Sequence, residues 1–178
     1  TIDSRVQAAA EAALAKASQA ALAQGYAEAR AGAAVALDVR SGAVLAMASY
    51  TTYDPVKLSG VLTQKESEEI FNSPWKPVLN RALLAYAPGS TFKMIVAMAG
   101  LESGSTTPGE TISDPGYFFW GRTFKDWKPG GHGSVDLVKA LKVSCDTYFY
   151  QLGLRMGIDE ITSMARRFGL GEKTGIEL

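Results

Sequence analysis

The residues best suited to covalent chemistry are Ser90 and Lys93, which directly follow the turn-forming pair Pro88-Gly89. Residues at i and i+3 share one face of a helix, so the two side chains can point into one pocket. A serine at a helix N-terminus lies among free backbone N–H groups that favour developing negative charge. Desolvation in an apolar helix favours the neutral, basic form of a lysine. The pair therefore predicts a nucleophile, Ser90, with Lys93 as its base.

The same spacing also has a purely structural interpretation, in which the serine caps the helix and the lysine extends to solvent. Ser-x-x-Lys occurs a second time at Ser73 and Lys76, and a chain of this composition contains about one such match by chance. Pro77 would break a helix that continued past Lys76. We therefore interpret the earlier pair as a surface loop.

A second polar cluster, Ser144-Cys145-Asp146, follows 54 residues after Ser90 and separates two helical patterns. A loop between helices can present such side chains to a cleft. The alternative is that Ser144 or Asp146 only caps the helix that follows. Both interpretations can hold together, because capping and catalysis use different atoms.

A metal site is a further candidate, built on the chain's single histidine and single cysteine. Two carboxylates, one imidazole and one thiolate supply four ligands for a tetrahedral zinc ion with no open position, which is the pattern of a structural site. The four candidate ligands are Asp114, Asp126, His132 and Cys145. The alternative is a loop histidine and a buried free thiol, both of which are ordinary.

Composition bounds the class of protein. The chain has 178 residues, of which 47% are hydrophobic and 20% charged, as in a globular domain. Its 18 basic residues balance its 18 acidic residues, so no basic field indicates a nucleic-acid partner. No apolar run approaches the roughly 18 residues needed to cross a bilayer.

The elements that must position these residues are mostly helices. The patterns predict a helix, a β-hairpin, several further helices and one long ordered excursion, an order that indicates an α+β fold. The predicted elements are a helix from Asp3 to about Gln24, a hairpin of 33–39 and 43–48, a loop at 51–62, a helix at 63–71, a helical stretch at 79–84, a buried helix opened by Ser90, an irregular segment at 103–133 and three helical stretches within 135–168.

These motifs together resemble a known family. Pro88-Gly89-Ser90-Thr91-Phe92-Lys93 resembles the first motif of the penicillin-binding transpeptidases, and Ser144-Cys145-Asp146 resembles their second, with the Asp of elongation-specific members. Asp126-Trp127-Lys128 and Gly131-His132-Gly133 are similar to the class B group called penicillin-binding protein 2. The resemblance extends over essentially all 178 residues, beginning at Thr1-Ile2-Asp3.

The resemblance implies a β-lactamase/transpeptidase-like α+β fold, that of the penicillin-recognising serine transferases. Residues 1–178 are then expected to be the N-terminal portion of one transpeptidase domain, without its C-terminal strands. Lys173-Thr174-Gly175 looks like the family's third motif, yet it continues into Ile176-Glu177-Leu178, a context similar to a stretch that precedes the true motif. We therefore expect the true motif outside this chain, and no normal activity from the chain alone.

The resemblance also implies the reaction, which is D,D-transpeptidation of peptidoglycan stem peptides through a Ser90 acyl-enzyme. Lys93 would act as base, Ser144 would relay a proton, and Asp146 would orient Lys93 or the substrate backbone. The Ser90 N–H would supply half of the oxyanion hole. β-Lactams would acylate the same serine.

The remaining implications concern surroundings and cofactors. Expected partners are stem peptides ending in D-Ala-D-Ala, β-lactams, a membrane glycosyltransferase and other elongation-complex proteins, with no nucleic acid. The expected location is the periplasmic side of the bacterial inner membrane, with an N-terminal anchor outside this chain. A structural zinc on Asp114, Asp126, His132 and Cys145 is supported by the resemblance, while the chemistry itself requires no cofactor.

Three alternatives stay open. A serine β-lactamase or D,D-carboxypeptidase shares the first motif and would deacylate efficiently with water. A β-lactam sensor domain would acylate without transferring the acyl group. A non-catalytic, zinc-stapled scaffold would keep every function after Ser90→Ala.

Overall fold

The computed structural model describes residues 2–176. Thr1, which begins the family-like segment, and Glu177 and Leu178, which end it, lie outside the described residues. The chain divides into two compact units, one ending at Tyr86 and the other beginning at Ala87. Helices and short antiparallel strands together make an α+β fold, as predicted.

The first unit is a helix packed on a β-hairpin. Asp3 caps helix α1, because its carboxylate accepts the backbone N–H groups of Arg5 at 2.9 Å and Val6 at 3.3 Å. The Gln7 side chain bonds both backbone groups of Met47 and so fastens α1 to the second strand. The elements are α1 (Ser4–Ala23), the antiparallel strands β1 (Gly32–Leu37) and β2 (Val44–Tyr50), α2 (Pro55–Leu58), α3 (Gln64–Phe71) and a 3₁₀ turn (Arg81–Leu83).

Two predictions for this unit were wrong in detail. The predicted loop at 51–62 contains the single-turn helix α2, which Asp54 caps through the N–H of Val56. The predicted helical stretch at 79–84 is only the 3₁₀ turn Arg81–Leu83, which Asn80 caps at its start by accepting the N–H of Ala82 and which ends at the extended Leu84. The Ser73…Lys76 pair lies in turns, as predicted.

The second unit surrounds a small apolar core. Its fully buried members come from the last strand and two of the helices: Val135, Ala140, Cys145, Tyr148 and Leu152. The elements are a 3₁₀ turn (Gly89–Phe92), α4 (Lys93–Glu102), β3 (Ile112–Asp114), β4 (Tyr117–Trp120), β5 (Arg122–Lys125), β6 (Gly133–Val135), α5 (Leu137–Lys142), α6 (Asp146–Met156) and α7 (Ile158–Arg167).

The segment 103–133, predicted to be irregular, is more regular than expected. Strand β3 pairs with β6, and β4 pairs with β5, in two antiparallel ladders. Strands of three or four residues are too short for an alternating pattern to be read from sequence. The segment forms defined structure, as predicted, but it contains paired strands where an irregular loop was expected.

The prediction that helix α4 is buried all round was also wrong. Val96, Ala97 and Ala99 are buried, because α4 packs against α6 and α7. Met94 and Leu101, on the rest of its surface, are 55% and 42% exposed in the described chain. Among residues 2–176, no helix combines the length and hydropathy needed to cross a membrane.

Candidate active site

Ser90 lies on an exposed 3₁₀ turn that leads directly into helix α4. Gly89 adopts a φ of 56°, a left-handed conformation that suits glycine, and so turns the chain sharply before the serine. Residues i and i+3 eclipse one another in a 3₁₀ turn, which puts Ser90 and Lys93 on the same side. The turn thus presents the hydroxyl at the surface while Lys93 begins the helix.

Lys93 is held by three acceptors. Its Nζ donates to the Ser144 carbonyl at 2.8 Å, to Ser144 Oγ at 3.1 Å and to Asp146 Oδ1 at 2.5 Å. It also lies 5.7 Å from the centroid of the Phe149 ring. Its side chain is only 13% exposed, so these contacts fix the position of the amine.

Ser144 connects the nucleophile to the lysine. Its Oγ donates to Ser90 Oγ at 2.9 Å and accepts from Lys93 Nζ. A hydroxyl is both donor and acceptor and can rotate, so a proton can move along this path in either direction. The φ of Ser144 is 52°, a left-handed conformation whose cost is about 1–3 kcal/mol. That backbone conformation accompanies the double contact of its carbonyl and its Oγ with Lys93.

The N-terminus of α6 carries the rest of this cluster. Asp146 is the first residue of α6, and Cys145 caps the helix by accepting the N–H of Tyr148 at 3.4 Å. Asp126, from the loop after β5, accepts the N–H groups of Asp146 at 2.7 Å and Thr147 at 3.1 Å through Oδ2. The backbone N–H groups at the start of α6 are therefore accepted by the Cys145 sulfur and by the loop residue Asp126.

Ser90, Lys93 and Ser144 line one cavity of about 370 Å³, together with Thr91, Met94 and Leu141. A second cavity of similar size, about 360 Å³, is walled by aromatic and aliphatic side chains of β4, β5, α6 and α7. That second cavity contains neither the serine nor the lysine. The first one is therefore the candidate site for chemistry.

The four predicted metal ligands converge beside this cluster. One donor atom each of Asp114, Asp126, His132 and Cys145 lies within 4.8 Å of the others. His132 Nδ1 is 2.7 Å from Asp114 Oδ2 and 3.5 Å from Asp126 Oδ1, and Cys145 Sγ is 3.3 Å from Asp114 Oδ2. The side chains of both aspartates are fully buried.

The local environment keeps both carboxylates ionised and the thiol protonated. Burial opposes the ionisation of Asp114, but donors from Gly116 and His132 outweigh it and lower the pKa of Asp114 to about 2. Burial also opposes the ionisation of Asp126, yet hydrogen bonds from the N–H groups of Lys128 and Thr147 lower the pKa of Asp126. Burial raises the pKa of Cys145 to about 12, with the nearby Asp114 adding to the effect.

The donor set fits a divalent cation. Two buried ionised carboxylates beside one imidazole and one thiol leave negative charge that a cation would balance. His132 faces the carboxylates through Nδ1, and its buried Nε2 has no hydrogen-bond partner among the described residues. Two carboxylates, an imidazole and a thiolate are ligands that zinc accepts in tetrahedral sites, and the Cys145 thiol would lose its proton on binding.

Two residues that the sequence did not nominate also touch the cluster. Phe149 packs its ring beside the Lys93 amine, and Trp127 donates its indole N–H to the Val143 carbonyl at 3.0 Å. The signal available for Trp127 was its place in the family-like segment Asp126-Trp127-Lys128. Phe149 looked like an ordinary core residue of α6.

The apparent third motif does not lie on a strand. Lys173, Thr174 and Gly175 belong to an irregular segment that follows α7. This agrees with the interpretation that Lys173-Thr174-Gly175 is not the family's third motif.

Comparison with known proteins gives consistent matches. Residues 32–178 match the family described as "Penicillin binding protein transpeptidase domain". The chain is 42% identical over 153 residues to the peptidoglycan D,D-transpeptidase MrdA of Acinetobacter baumannii, covering 84% of this chain and 23% of that protein. MrdA of Escherichia coli K12 is 38% identical over 150 residues, covering 82% of this chain and 24% of that protein. The chain thus spans about a quarter of the length of the curated relatives it matches.

Solved structures agree with the sequence comparison. Pseudomonas aeruginosa PBP2 in complex with WCK 5153 superposes with a TM-score of 0.76 at 38% identity, over 93% of this chain and 37% of that one. Helicobacter pylori PBP2 in a complex with MreC superposes with a TM-score of 0.74 at 36% identity, over 86% of this chain and 29% of that one. A chain of a peptidoglycan synthase complex that coordinates polymerization and crosslinking superposes with a TM-score of 0.83 at 35% identity, over 98% of this chain and 32% of that one.

Proposed function

This chain belongs to the penicillin-binding protein transpeptidase domain family, and we propose that it is part of a peptidoglycan D,D-transpeptidase of the penicillin-binding protein 2 group. The observation that carries the proposal is the hydrogen-bonded path from Ser90 Oγ through Ser144 Oγ to Lys93 Nζ, at the wall of a cavity. The match over 32–178 includes residues of both compact units, which supports the proposal that both belong to one transpeptidase domain.

In the proposed acylation step, Ser90 Oγ attacks the carbonyl carbon of the D-Ala–D-Ala peptide bond. For this step Lys93 must be in its deprotonated form, in which Nζ keeps at most two of its three donated hydrogen bonds and takes the Ser90 proton by way of the Ser144 hydroxyl. The carbonyl oxygen becomes an oxyanion. The backbone N–H of Ser90, on the 3₁₀ turn before α4, would supply half of the oxyanion hole that stabilises it.

The tetrahedral intermediate then collapses to the Ser90 ester as the C–N bond breaks. The leaving D-Ala nitrogen receives the proton held by Lys93, again by way of Ser144. In the second half-reaction the amine of a neighbouring stem peptide attacks the ester carbonyl and gives up a proton along the same path. Ser90 regains its hydrogen, and a new peptide bond crosslinks the two stems.

Asp146 has a positioning role in this scheme. Its Oδ1 accepts from Lys93 Nζ at 2.5 Å, which holds the amine toward Ser144. Its own backbone N–H is held by Asp126. Loss of the Asp146 carboxylate would remove one of the three acceptors that hold Lys93 without removing the base itself.

We further propose that Asp114, Asp126, His132 and Cys145 hold a structural zinc ion. When bound, the ion would staple the loop between β3 and β6 to the start of α6, and the reaction would draw no chemistry from it. The support is the convergence of four buried or nearly buried ligand atoms within 4.8 Å. Asp126 would join the staple to the second motif.

The proposed substrates are stem peptides ending in D-Ala-D-Ala, with β-lactams as acylating inhibitors. The reported PBP2–MreC complex and the peptidoglycan synthase complex support elongation-complex partners, including a membrane glycosyltransferase, for the full-length protein. Action on peptidoglycan implies the periplasmic side of the inner membrane. An N-terminal anchor is part of the same proposal.

The test is a crosslinking assay on the full-length natural protein, since this chain spans about a quarter of its curated relatives. A donor ending in D-Ala-D-Ala and an amine acceptor are incubated with the wild type, Ser90→Ala and Ser73→Ala. Crosslinked dimer and free D-Ala should form with the wild type and Ser73→Ala, and neither with Ser90→Ala.

Each alternative has its own outcome in that assay. A carboxypeptidase or β-lactamase would release D-Ala or hydrolysed penicillin without crosslinked dimer. A sensor domain would be acylated by penicillin and stay inert toward stem peptides. A non-catalytic scaffold would form neither product with any of the three proteins, and crosslinking retained in Ser90→Ala would end the assignment of Ser90 as nucleophile.

A further inference from the structure

The turn that carries Ser144 is held from outside by two adjacent loop residues. On the side before Ser144, Trp127 Nε1 donates to the Val143 carbonyl at 3.0 Å. On the side after it, Asp126 Oδ2 accepts the N–H groups of Asp146 and Thr147. The adjacent residues Asp126 and Trp127 therefore hydrogen-bond to the backbone on both sides of Ser144.

The Val143 carbonyl accepts one side-chain hydrogen bond, from the Trp127 indole. Val143 lies just past the end of α5, where the chain leaves the helix and enters the left-handed Ser144. Within residues 2–176, no backbone N–H outside the regular elements donates to it. The indole N–H holds the carbonyl end of the peptide group between Val143 and Ser144, and the Ser144 N–H holds the other end by donating to the Leu141 carbonyl at 3.3 Å.

The orientation of that peptide group sets the position of the Ser144 Cα and so bears on both contacts of Ser144 with the lysine. The Ser144 carbonyl and Oγ each accept from Lys93 Nζ, at 2.8 Å and 3.1 Å. Rotation about the preceding peptide would carry the two acceptors together. It would also move Ser144 Oγ relative to Ser90 Oγ, which lies 2.9 Å away.

Trp127 contributes little by burial, because it is 62% exposed. Its ring is kept in place beside the His132 ring, with centroids 5.4 Å apart. A residue whose hydrogen bond is specific and whose packing is slight is expected to act through that bond. Trp120 is a matched comparison, since it is 64% exposed and its side chain makes no hydrogen bond to another residue of the described range 2–176.

We propose that Trp127 is a positioning residue for the acylation step, acting through the Val143 carbonyl to hold Ser144 between Ser90 and Lys93. This inference rests on the proposed function of Ser90. Losing one such hydrogen bond should slow the chemical step about fivefold without changing how tightly the ligand is held before reaction.

The experiment compares Trp127→Phe with Trp120→Phe in the full-length, metal-loaded protein. The acylation rate at saturating penicillin is measured apart from the half-saturating concentration, together with melting temperature and zinc content. We expect Trp127→Phe alone to lower the saturated rate about fivefold, with the half-saturating concentration, melting temperature and zinc content equal to those of Trp120→Phe. Equal saturated rates in the two variants would overturn the inference.

A third variant separates the N–H from the ring. Replacing Trp127 by its benzothiophene analogue keeps the bicyclic shape and removes only the donor, so it should be as slow as Trp127→Phe. A normal rate in this variant would show that Trp127 acts by packing, which overturns the inference even if Trp127→Phe is slow or unfolded. Absence of acylation in the wild type would instead overturn the proposed function, and this inference with it.

Discussion

Asp126 Oδ2 lies 2.7 Å from the backbone nitrogen of Asp146 and accepts its N–H, so a loop carboxylate caps the helix that begins with the second motif. The other oxygen of Asp126 faces His132 Nδ1 at 3.5 Å. One side chain therefore belongs both to the candidate metal centre and to the helix end that presents Asp146 to Lys93. This relationship makes the two sites physically dependent on each other.

The capping role of Asp126 predicts a loss of stability beyond any loss of metal. Asp126→Ala should lower the free energy of unfolding by about 1–3 kcal/mol, because two N–H groups at the start of α6 lose their acceptor. Asp126→Asn keeps a carbonyl oxygen for those groups and should lose less. The measurement is chemical denaturation with a chelator present, which removes the metal contribution from both variants. Equal destabilisation by Ala and Asn would contradict the capping role.

Gly131 is predicted to be the least replaceable glycine of the loop. A Cβ at Gly131 would lie 2.2 Å from the Asp114 carbonyl oxygen and 2.3 Å from the Gly116 nitrogen, whereas one at Gly130 would meet nothing within 4 Å. Both glycines have positive φ, so an Ala at either position carries a similar conformational cost of about 1–2 kcal/mol.

The difference between Gly131→Ala and Gly130→Ala therefore isolates the backbone clash. We expect Gly131→Ala to lower the free energy of unfolding by about 1–3 kcal/mol more than Gly130→Ala does. We also expect it to displace Asp114 from the candidate metal centre. Thermal unfolding and zinc content measure the two effects. Equal stability of the variants would show that the loop does not pass as closely to Asp114 as the structure places it.

Features encoded in neighbouring residues were predictable from the sequence. The cap of α1 by Asp3 and the extent of α3, with its capping box at Thr63, depend on residues within one turn of each other. The four metal-ligand candidates gained their support from the family resemblance, because spacing alone does not single out Asp114 and Asp126 among the 18 acidic residues. The meeting of Ser90 with Ser144 came from the family resemblance, which supplies long-range information that spacing lacks.

Features that depend on long-range pairing were missed. The three-residue strands β3 and β6 pair only because the loop between them folds back, and neither has a readable alternation. The contact of Trp127 with Val143 joins residues 16 apart through a side chain and a helix end. Such contacts follow from the tertiary fold and leave no local signature.

Lys93 is predicted to contribute chemistry that an ordinary surface lysine does not. Lys93→Met should slow acylation by penicillin about 10²–10⁴-fold, the range expected for loss of a general base. Lys76→Met is the matched control, because Lys76 occupies the other Ser-x-x-Lys pattern and is exposed in a turn. Stopped-flow acylation of the full-length protein measures both. A similar small effect from the two substitutions would remove Lys93 from the mechanism.

The metal proposal predicts stoichiometric zinc. Full-length protein should contain about one zinc ion per chain by elemental analysis, and His132→Ala should contain none, because a tetrahedral site that loses a ligand binds far more weakly. Chelation should lower the melting temperature of the wild type and leave that of His132→Ala unchanged. A metal-free wild type, or an equal response of both proteins to chelator, would exclude the site.

The central claim is that Ser90 is the acylated nucleophile, and the mass of the intact full-length protein after reaction with a penicillin tests it most directly. We expect a single adduct on the wild type and on Ser73→Ala, located on the peptide containing Ser90 by fragmentation, and no adduct on Ser90→Ala. An adduct that persists in Ser90→Ala, or its absence from a folded wild type, would contradict the assignment of Ser90 as nucleophile.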